Sequence, residues 1–409
     1  MLISYKFRIY PSKAVEEKLN EQLELCRWLY NRLLEEVNRA RKEGRKITRK
    51  DTQALIVKLK EGKPEPRKVY SKVLQMVNYQ LWSNIKALNE LKKRGKKVGW
   101  LRYKTGNSFK TMNFNQSGFK VDFERGKLVL SKVGEIPIKF HRPIEGKIRG
   151  VIVKRTKTGK WFAIVQSEVD PEPLSETGRV VGIDVGIYHF CVDSDGIAFE
   201  NPKFIDKTEK IKKVQKRLSR KQKGSKNREK ARLKLAKLYE KLENQRLDFL
   251  HKLSRYYVNN YDVVYVEDLD VKGLVESKSS TLNRHIHDSA WANFLSLLAY
   301  KAERAGRRVV RVKPTNTSKR CANCGYVVKN LSLKDRWFVC PKCGWEADRD
   351  YNGSLNVLDV GLGRSRTPVE REPLPLVIPY RKVIEGQVLS VRREAPSVRA
   401  GWFTTSGRE

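Results

Sequence analysis

Val180–Gly186 reads VVGIDVG: the apolar run VVGI ends on Asp184, just before Val185 and Gly186. Val263–Glu267, VVYVE, has the same grammar. Such runs read as strands buried in a sheet. A carboxylate ending a buried strand is costly unless it is paired, capped or bound to a cation. A third acid, Asp350, opens a helical pattern that continues over 351–359. If the three converge, each pair about 4 Å apart repels by roughly 4 kcal/mol at an effective dielectric near 20. Stability alone does not collect such a group. Divalent cations remove the repulsion, and hard oxygen ligands suit Mg²⁺ or Mn²⁺. Two such ions can activate a water and stabilise the leaving oxygen of a phosphodiester. Taken singly, each acid also has a plainer reading: Asp184 caps a turn, Glu267 pairs with a lysine, Asp350 is a helix N-cap. Asp193, Asp195, Asp268 and Asp348 are rival ligands. The period of two in VVYVED puts Glu267 and Asp268 on opposite faces, so only one of them points inward.

Just before Asp350 the chain carries two CxxC pairs, Cys321/Cys324 and Cys340/Cys343, with 15 residues between them. That is the spacing of a four-cysteine zinc site. Four thiolates close the tetrahedron and leave no position for substrate, so the metal is expected to be structural. Lys319, Arg320, Lys334 and Arg336 beside the cysteines either touch phosphate or form solvated surface. The other two cysteines, Cys26 and Cys191, sit in apolar-patterned segments and read as core thiols.

Around these motifs the chain changes texture several times. Ile3, Tyr5, Phe7 and Ile9 alternate with Ser4, Lys6 and Arg8, the pattern of a half-buried strand. Pro11 ends it and Ser12 can cap a helix beginning there. Val15, Leu19, Leu23, Cys26, Tyr30, Leu33 and Val37 then recur at steps of three or four, predicting a helix to about residue 42. A second helical pattern covers about 69–93. From about 100 to 170 six short runs of period two alternate with Gly- or Pro-bearing turns, predicting a small antiparallel barrel. The N-terminal strand is assigned to it, so the barrel takes 1–10 and 96–170 and a helical lobe takes 11–95. Residues 170–178, DPEPLSETG, read as a linker. After it come a hairpin, RVVGIDVG with YHFCVDS, and a third strand, GIAFE. Residues 207–246 hold 17 Lys/Arg against four Asp/Glu and read as a basic helical hairpin over 207–255, either simply solvated or binding nucleic acid as well. A helix over 288–305 and a strand over 307–312 come next. The Pro- and Arg-rich tail, 361–409, is expected to be loosely ordered.

The 409 residues carry 86 Lys plus Arg against 46 Asp plus Glu, a formal net charge of +40. Such an excess marks a partner that is a polyanion, with nucleic acid first and a membrane surface second. No apolar run is long enough to span a bilayer, and the start, MLISYKFRIYPSK, has no apolar signal core. An intracellular protein with no membrane partner is expected.

The order strand-GIDVG, strand-VVYVEDL, then CxxC…CxxC…DRDYN resembles TnpB proteins of bacterial and archaeal insertion sequences, relatives of type V CRISPR nucleases. YKFRIYPSK with CRWLYN resembles the start of that family, and GEIPIKFHRPIEGK to GKWFAIV resembles its barrel, so the likeness covers about residues 1–360. It implies a multidomain α/β plus β-barrel fold. The parts are a RuvC-type, RNase H-like nuclease domain over 179–312 and 348–360, an inserted zinc ribbon over 313–347, and an N-terminal oligonucleotide-binding-type barrel with its helical lobe. It implies Asp184, Glu267 and Asp350 as catalytic, magnesium-binding acids, with one structural Zn²⁺ on Cys321, Cys324, Cys340 and Cys343. It further implies an RNA-guided DNA endonuclease of a transposable element, with a guide RNA transcribed from the element's end, a double-stranded DNA target, and a cytoplasmic, nucleoid-associated setting. The chain departs from the family at NGSLN, where many members read NAALN; Gly353 weakens that helix but removes no ligand. Two other functions stay open: a transposase or resolvase using the same acids without RNA, and a catalytically silent regulator of transposition.

Overall fold

The computed structural model describes residues 1–106, 108–204, 208–269, 290–332, 335–364 and 375–385. The chain forms two units, divided between Asp170 and Pro171.

In the first unit, β1 (Leu2–Ile9) sends Tyr5, Phe7 and Ile9 inward and Lys6 outward, as its alternation predicts. Ser12 then caps α1 (Lys13–Lys42), its hydroxyl accepting from the Val15 amide at 3.4 Å. The buried side chains of α1 include Leu19, Leu23, Cys26, Tyr30, Leu33 and Val37, the stripe expected of a core-facing helix. The next helix, α2 (Arg49–Gly62), has no counterpart in the sequence reading and is opened by a capping box between Thr48 and Asp51. Only Thr52 and Ile56 of α2 are buried, too few to mark a period. α3 (Ser71–Lys93) completes the helical segment.

The six alternating runs become β2 (Thr111–Asn115), β3 (Phe119–Asp122), β4 (Lys127–Leu130), β5 (Gly134–Lys139), β6 (Lys147–Arg155) and β7 (Trp161–Glu168). The sheet order is β2-β6-β7-β1-β5-β4-β3, with every pairing antiparallel. The two edge strands, β2 and β3, are joined by a three-residue 3-10 turn, Gln116–Gly118. The edges therefore meet, and the sheet is a nearly closed barrel. β1 lies at its centre between β7 and β5, in register from Leu2 opposite Glu168 to Ile9 opposite Trp161. One core of strand and helix side chains, Phe7, Tyr30, Leu74 and Phe114 among them, fills the unit.

The second unit is built on a six-stranded sheet of order β12-β11-β8-β9-β10-β15. β8 (Val180–Val185), β9 (His189–Asp193) and β10 (Ile197–Glu200) form an antiparallel meander. The basic helices α4 (Glu209–Ser219) and α5 (Lys226–Asn260) come next, with the Arg228 guanidinium donating to the last carbonyls of the α4 segment, Leu218 at 2.8 Å and Lys221 at 2.7 Å. β11 (Val263–Glu267) and β12 (Arg308–Val312) then run parallel to β8, with α6 (Trp291–Arg304) between them. The helix expected over 288–305 begins at Trp291; its first positions fall outside the described residues. The ribbon strands β13 (Trp337–Val339) and β14 (Glu346–Asp348) precede α7 (Arg349–Leu362).

The period of two on β11 sorts the layers. Val264 and Val266 pack with α5 and α6 in one core, while Val263 and Tyr265 pack with Val357 of α7 in another. The sheet is thus sandwiched between helices, and β11 is buried on both faces. The tail corrects its expectation in part: β15 (Leu376–Ile378) adds a parallel strand to β10, and α8 (Tyr380–Glu385) comes after it, with Ile378 and Val383 joining the α5/α6 core. Single apolar residues in a Pro-rich stretch carry no period, so only their docking reveals them. Among the described residues no helix is long and apolar enough to cross a membrane.

Candidate active site and metal centre

Asp184 and Glu267 arrive on neighbouring parallel strands. Ile183 of β8 is in register with Val266 of β11, so the next residue on each strand, Asp184 and Glu267, projects from the same face. That face is covered by α7. The helix packs so closely that a Cβ on Gly182 would lie 2.4 Å from the Ser354 carbonyl oxygen, a contact no side chain tolerates. Gly353 meets the carboxylate itself, since a Cβ there would lie 2.5 Å from Asp184 Oδ2. The departure at Gly353 is therefore a seat for the Asp184 side chain as well as a weaker helix residue.

Asp350 stands in the first turn of α7, where the helix dipole favours a negative charge. A Cβ on Gly186, two residues past Asp184, would lie 3.3 Å from Asp350 Oδ2. The Asp184 carboxyl is pushed well above the usual range, first by burial and then by the charges of Glu267 and Asp350. Burial likewise pushes Glu267 up, against the Thr317 hydroxyl that donates to it. Asp184 and Glu267 thus share one face of the sheet, and Asp350, in the first turn of the helix that covers it, lies near enough for its charge to act on Asp184. Among the described residues the four cysteines are the group of three or more such side chains placed to share one ion; the three acids do not form such a group. Arg336, from the ribbon, pairs with Asp350 and lies 5.2 Å from the Tyr188 ring.

The rival acids are engaged elsewhere. Asp348, not Asp350, is the N-cap of α7, accepting from the amides of Asp350 at 2.9 Å and Tyr351 at 3.1 Å. Asp193 is opposite Ile183 and so lies on the other face from Asp184; it accepts from the amides of Asp195 and Ile197. Asp195 takes Arg179 at 2.5 Å and the Tyr261 hydroxyl at 2.7 Å. Asp268 is exposed and pairs with Arg311 at 3.0 Å.

The ribbon is two copies of one turn. In each, a Cys-x-x-Cys-Gly-aromatic segment folds so that the first cysteine's amide donates to the aromatic residue's carbonyl: Cys321 to Tyr326 at 2.8 Å, Cys340 to Trp345 at 2.9 Å. Gly325 and Gly344 take φ of 81° and 72°, where a side chain would be strained. The four Sγ atoms lie within 4.8 Å of one another, with Cys321–Cys343 at 3.7 Å and Cys324–Cys340 at 3.5 Å. A tetrahedral ion with Zn–S bonds of about 2.3 Å would set each sulfur pair about 3.8 Å apart. The cysteines form a candidate zinc site. Of the basic residues beside the cysteines, Lys319 donates to the Lys329 carbonyl at 3.4 Å, Arg336 is taken by Asp350, and Lys334 lies outside the described residues.

Three site residues escaped the sequence reading. Thr317, in a polar loop without period, is buried and donates to Glu267. Asn352 and Asn356, four apart on α7, tie the helix to the chain entering the ribbon. Asn356 donates to the carbonyls of Thr317, Arg320 and Asn352 at 2.7–2.9 Å, and Asn352 donates to Arg320 and accepts from the Ala322 amide. The signal was an Asn-x-x-x-Asn spacing, two fully buried amides on one helical face. Asn356→Ala would orphan buried carbonyls and is expected to cost roughly 2–4 kcal/mol, read as a lower urea midpoint at constant slope.

A relative from Streptomyces pristinaespiralis, described as a "Putative RNA-guided DNA endonuclease", is 34% identical over 371 residues, covering 88% of this chain and 90% of its own. The chain belongs to the TnpB family. Family models agree: one described as "Probable transposase" matches 163–278, a "Cas12f1-like, TNB domain" matches 291–357, and a "Helix-turn-helix domain" matches 1–46. In this TnpB-family chain the last of these segments is a strand followed by one long helix, β1 and α1. A second relative, the "Putative RNA-guided DNA endonuclease InsQ" of Escherichia coli K12, is 29% identical over 409 residues, covering 92% of this chain and 98% of its own. Among solved structures, a Cas12f1–sgRNA–target DNA complex shares the fold, with a TM-score of 0.56 at 14% identity over 87% of this chain and 98% of that one.

Proposed function

We propose that this TnpB-family chain is an RNA-guided, divalent-metal-dependent DNA endonuclease carried by a transposable element. One observation carries the reading: Asp184 and Glu267 project from one face of neighbouring strands, with Asp350 near by on the covering helix, all from segments distant in sequence, and burial followed by the charges of Glu267 and Asp350 pushes the Asp184 carboxyl up. The strand plan supports a RuvC-type, RNase H-like nuclease domain over 179–312 and 348–360, since an antiparallel meander is followed by two parallel strands on its first member. The names of the relatives supply the substrate class, and a net charge of +40 fits an RNA and a DNA duplex held together.

The donor set is all carboxylate oxygen, with neither thiolate nor imidazole among the three, which suits Mg²⁺ or Mn²⁺. When bound there, such ions supply charge neutralisation and a more acidic water. Asp184, Glu267 and Asp350 would hold them. Thr317 fixes the Glu267 carboxylate by its hydroxyl, Asp348 anchors the turn that carries Asp350, and Arg336 offsets the Asp350 charge. Cys321, Cys324, Cys340 and Cys343 would hold one structural Zn²⁺ in the ribbon, 313–347. The barrel (1–10 and 96–170) and helical lobe (11–95) are assigned to the nucleic acids, with base pairing reading sequence and protein reading backbone shape.

Sequencing the RNA that copurifies with the protein tests guidance. A discrete species from one end of the element is expected, and cleavage of matched DNA should disappear after RNase treatment and return when that RNA is restored. Equal cleavage after stripping would leave the transposase or resolvase reading, which the "Probable transposase" match favours.

A further inference from the structure

The connection between β8 and β9 carries Gly186, Ile187 and Tyr188 past the end of the Asp184 strand. It is a fixed turn. The Gly186 amide donates to the Phe190 carbonyl at 3.1 Å, and the Ile187 carbonyl accepts from Asn201 Nδ2 at 2.8 Å. Asn201 is buried, and its Oδ1 accepts from the Lys203 amide at 3.2 Å. One side chain therefore ties the turn to the segment that follows β10. Lys203 takes a φ of 42° there, a conformation costly for any residue with a side chain.

This arrangement presents Tyr188 to solvent. Its ring is 58% exposed, so it adds little to the core. A single exposed aromatic needs no explanation, but this one is held by three neighbours. His189 meets it edge-on, with ring centroids 4.7 Å apart and planes at 85°. The Arg336 guanidinium lies 5.2 Å from the ring centre and the Lys203 ammonium 5.5 Å. The same guanidinium pairs with Asp350, so one arginine links the ring to a candidate metal ligand. Among the described residues the Lys203 ammonium has no carboxylate partner.

Cation–π contacts at exposed sites are weak, and a left-handed lysine is costly. Stability alone does not account for the arrangement. An exposed ring beside a cation suits a nucleotide: the base stacks on the ring and its phosphate meets the cation. Bases inside a duplex are stacked on one another, whereas an unstacked base can be splayed onto an aromatic side chain. We propose that Tyr188 positions the substrate. Its ring stacks on one unstacked base of the strand being cut, with a flanking phosphate on Lys203, and so sets which phosphodiester reaches Asp184, Glu267 and Asp350. Every base has a π-face, so the seat tolerates any sequence. The proposal rests on the nuclease reading above and names how the strand is seated in that site.

Single-stranded DNA carrying 2-aminopurine reads the contact directly, because stacking on an aromatic ring quenches its fluorescence. The full chain should quench the probe. Tyr188→Phe and Tyr188→Trp should keep the quench, while Tyr188→Leu should lose most of it and keep its melting temperature. Lys203→Gln should lower the log–log salt slope of single-strand binding by about 0.7, the share of one phosphate. On matched DNA with the copurified RNA, Tyr188→Leu should raise KM about tenfold and spread the cut over neighbouring phosphodiesters, and Tyr188→Phe should restore a single position. An undiminished quench or an unmoved cut in the folded Tyr188→Leu variant would overturn the proposal and leave the nuclease standing. A wild type that cuts no DNA would overturn the nuclease reading and the positioning role with it.

Discussion

Asp184→Asn is expected to lower DNA cleavage by at least roughly 10⁴-fold, the scale of removing one member of a catalytic unit, while RNA and DNA binding stay near wild type. The same substitution should stabilise the metal-free protein. Burial, then Glu267 and Asp350, push the Asp184 carboxyl up, so the folded chain keeps this proton to higher pH than the unfolded chain does. From the unfolded carboxylate's pKa, about 4, up to the raised folded value, the native state binds more protons and stability falls as pH rises. Below that window the penalty is absent, and above it the penalty is complete. The substituted amide cannot ionise, so at pH 7 in a chelator the variant should melt a few degrees higher, where about 1 kcal/mol moves a domain of this size by roughly 2–4 °C. Its stability should also depend less on pH. Full cleavage would remove Asp184 from the site. An unchanged melting temperature together with an unchanged pH profile would show that neither burial nor the neighbouring carboxylates raise Asp184.

The second large effect is expected from the cysteines. Cys321→Ser, or treatment with a strong zinc chelator, should unfold the ribbon, release one zinc per chain, and reduce cleavage to background. Structural zinc supplies roughly 10–16 kcal/mol of folding free energy in small modules, more than the ribbon's few apolar contacts can replace. Its core is little more than Phe338 with Cys321 and Cys340. The damage should reach the acids through three links: Arg336 on Asp350, Thr317 on Glu267, and the Asn352 and Asn356 bonds to Arg320. Zinc measured by atomic absorption beside a single-turnover cleavage assay checks this. Metal-free protein that cuts at the normal rate would show that the ribbon plays no part in placing the acids.

Much of this is legible in residues whose pattern is local. The alternation of Tyr5, Phe7 and Ile9 marks β1, VVYVE marks a strand buried on both faces, and the spacing of the cysteines marks a four-sulfur cluster. Period two alone separates Glu267 from Asp268, and the two do face opposite ways. The features that the sequence hides depend on partners far along the chain. Thr317 sits in a loop with no period, and only Glu267, 50 residues earlier, gives it a role. α2 buries two side chains, so no stripe announces it. Asp350 can be read as the helix cap, but Asp348 takes that position, because only a residue outside the first turn can reach back to its amides. Gly353 reads as a helix defect, because nothing in NGSLN says that a carboxylate from another strand lies against it.

The central place of β1 in its barrel has a consequence for birth on the ribosome. Once made, Leu2–Ile9 cannot find its longest neighbour until Trp161–Glu168 has emerged. At roughly 5–20 residues per second that is a wait of about 8–30 s, with Tyr5, Phe7 and Ile9 bare. The helices α1 to α3 are complete long before then and can shelter the nascent strand. Moving the chain's ends by circular permutation, so that β1 is synthesised beside β7, should shorten the delay and reduce aggregation during translation.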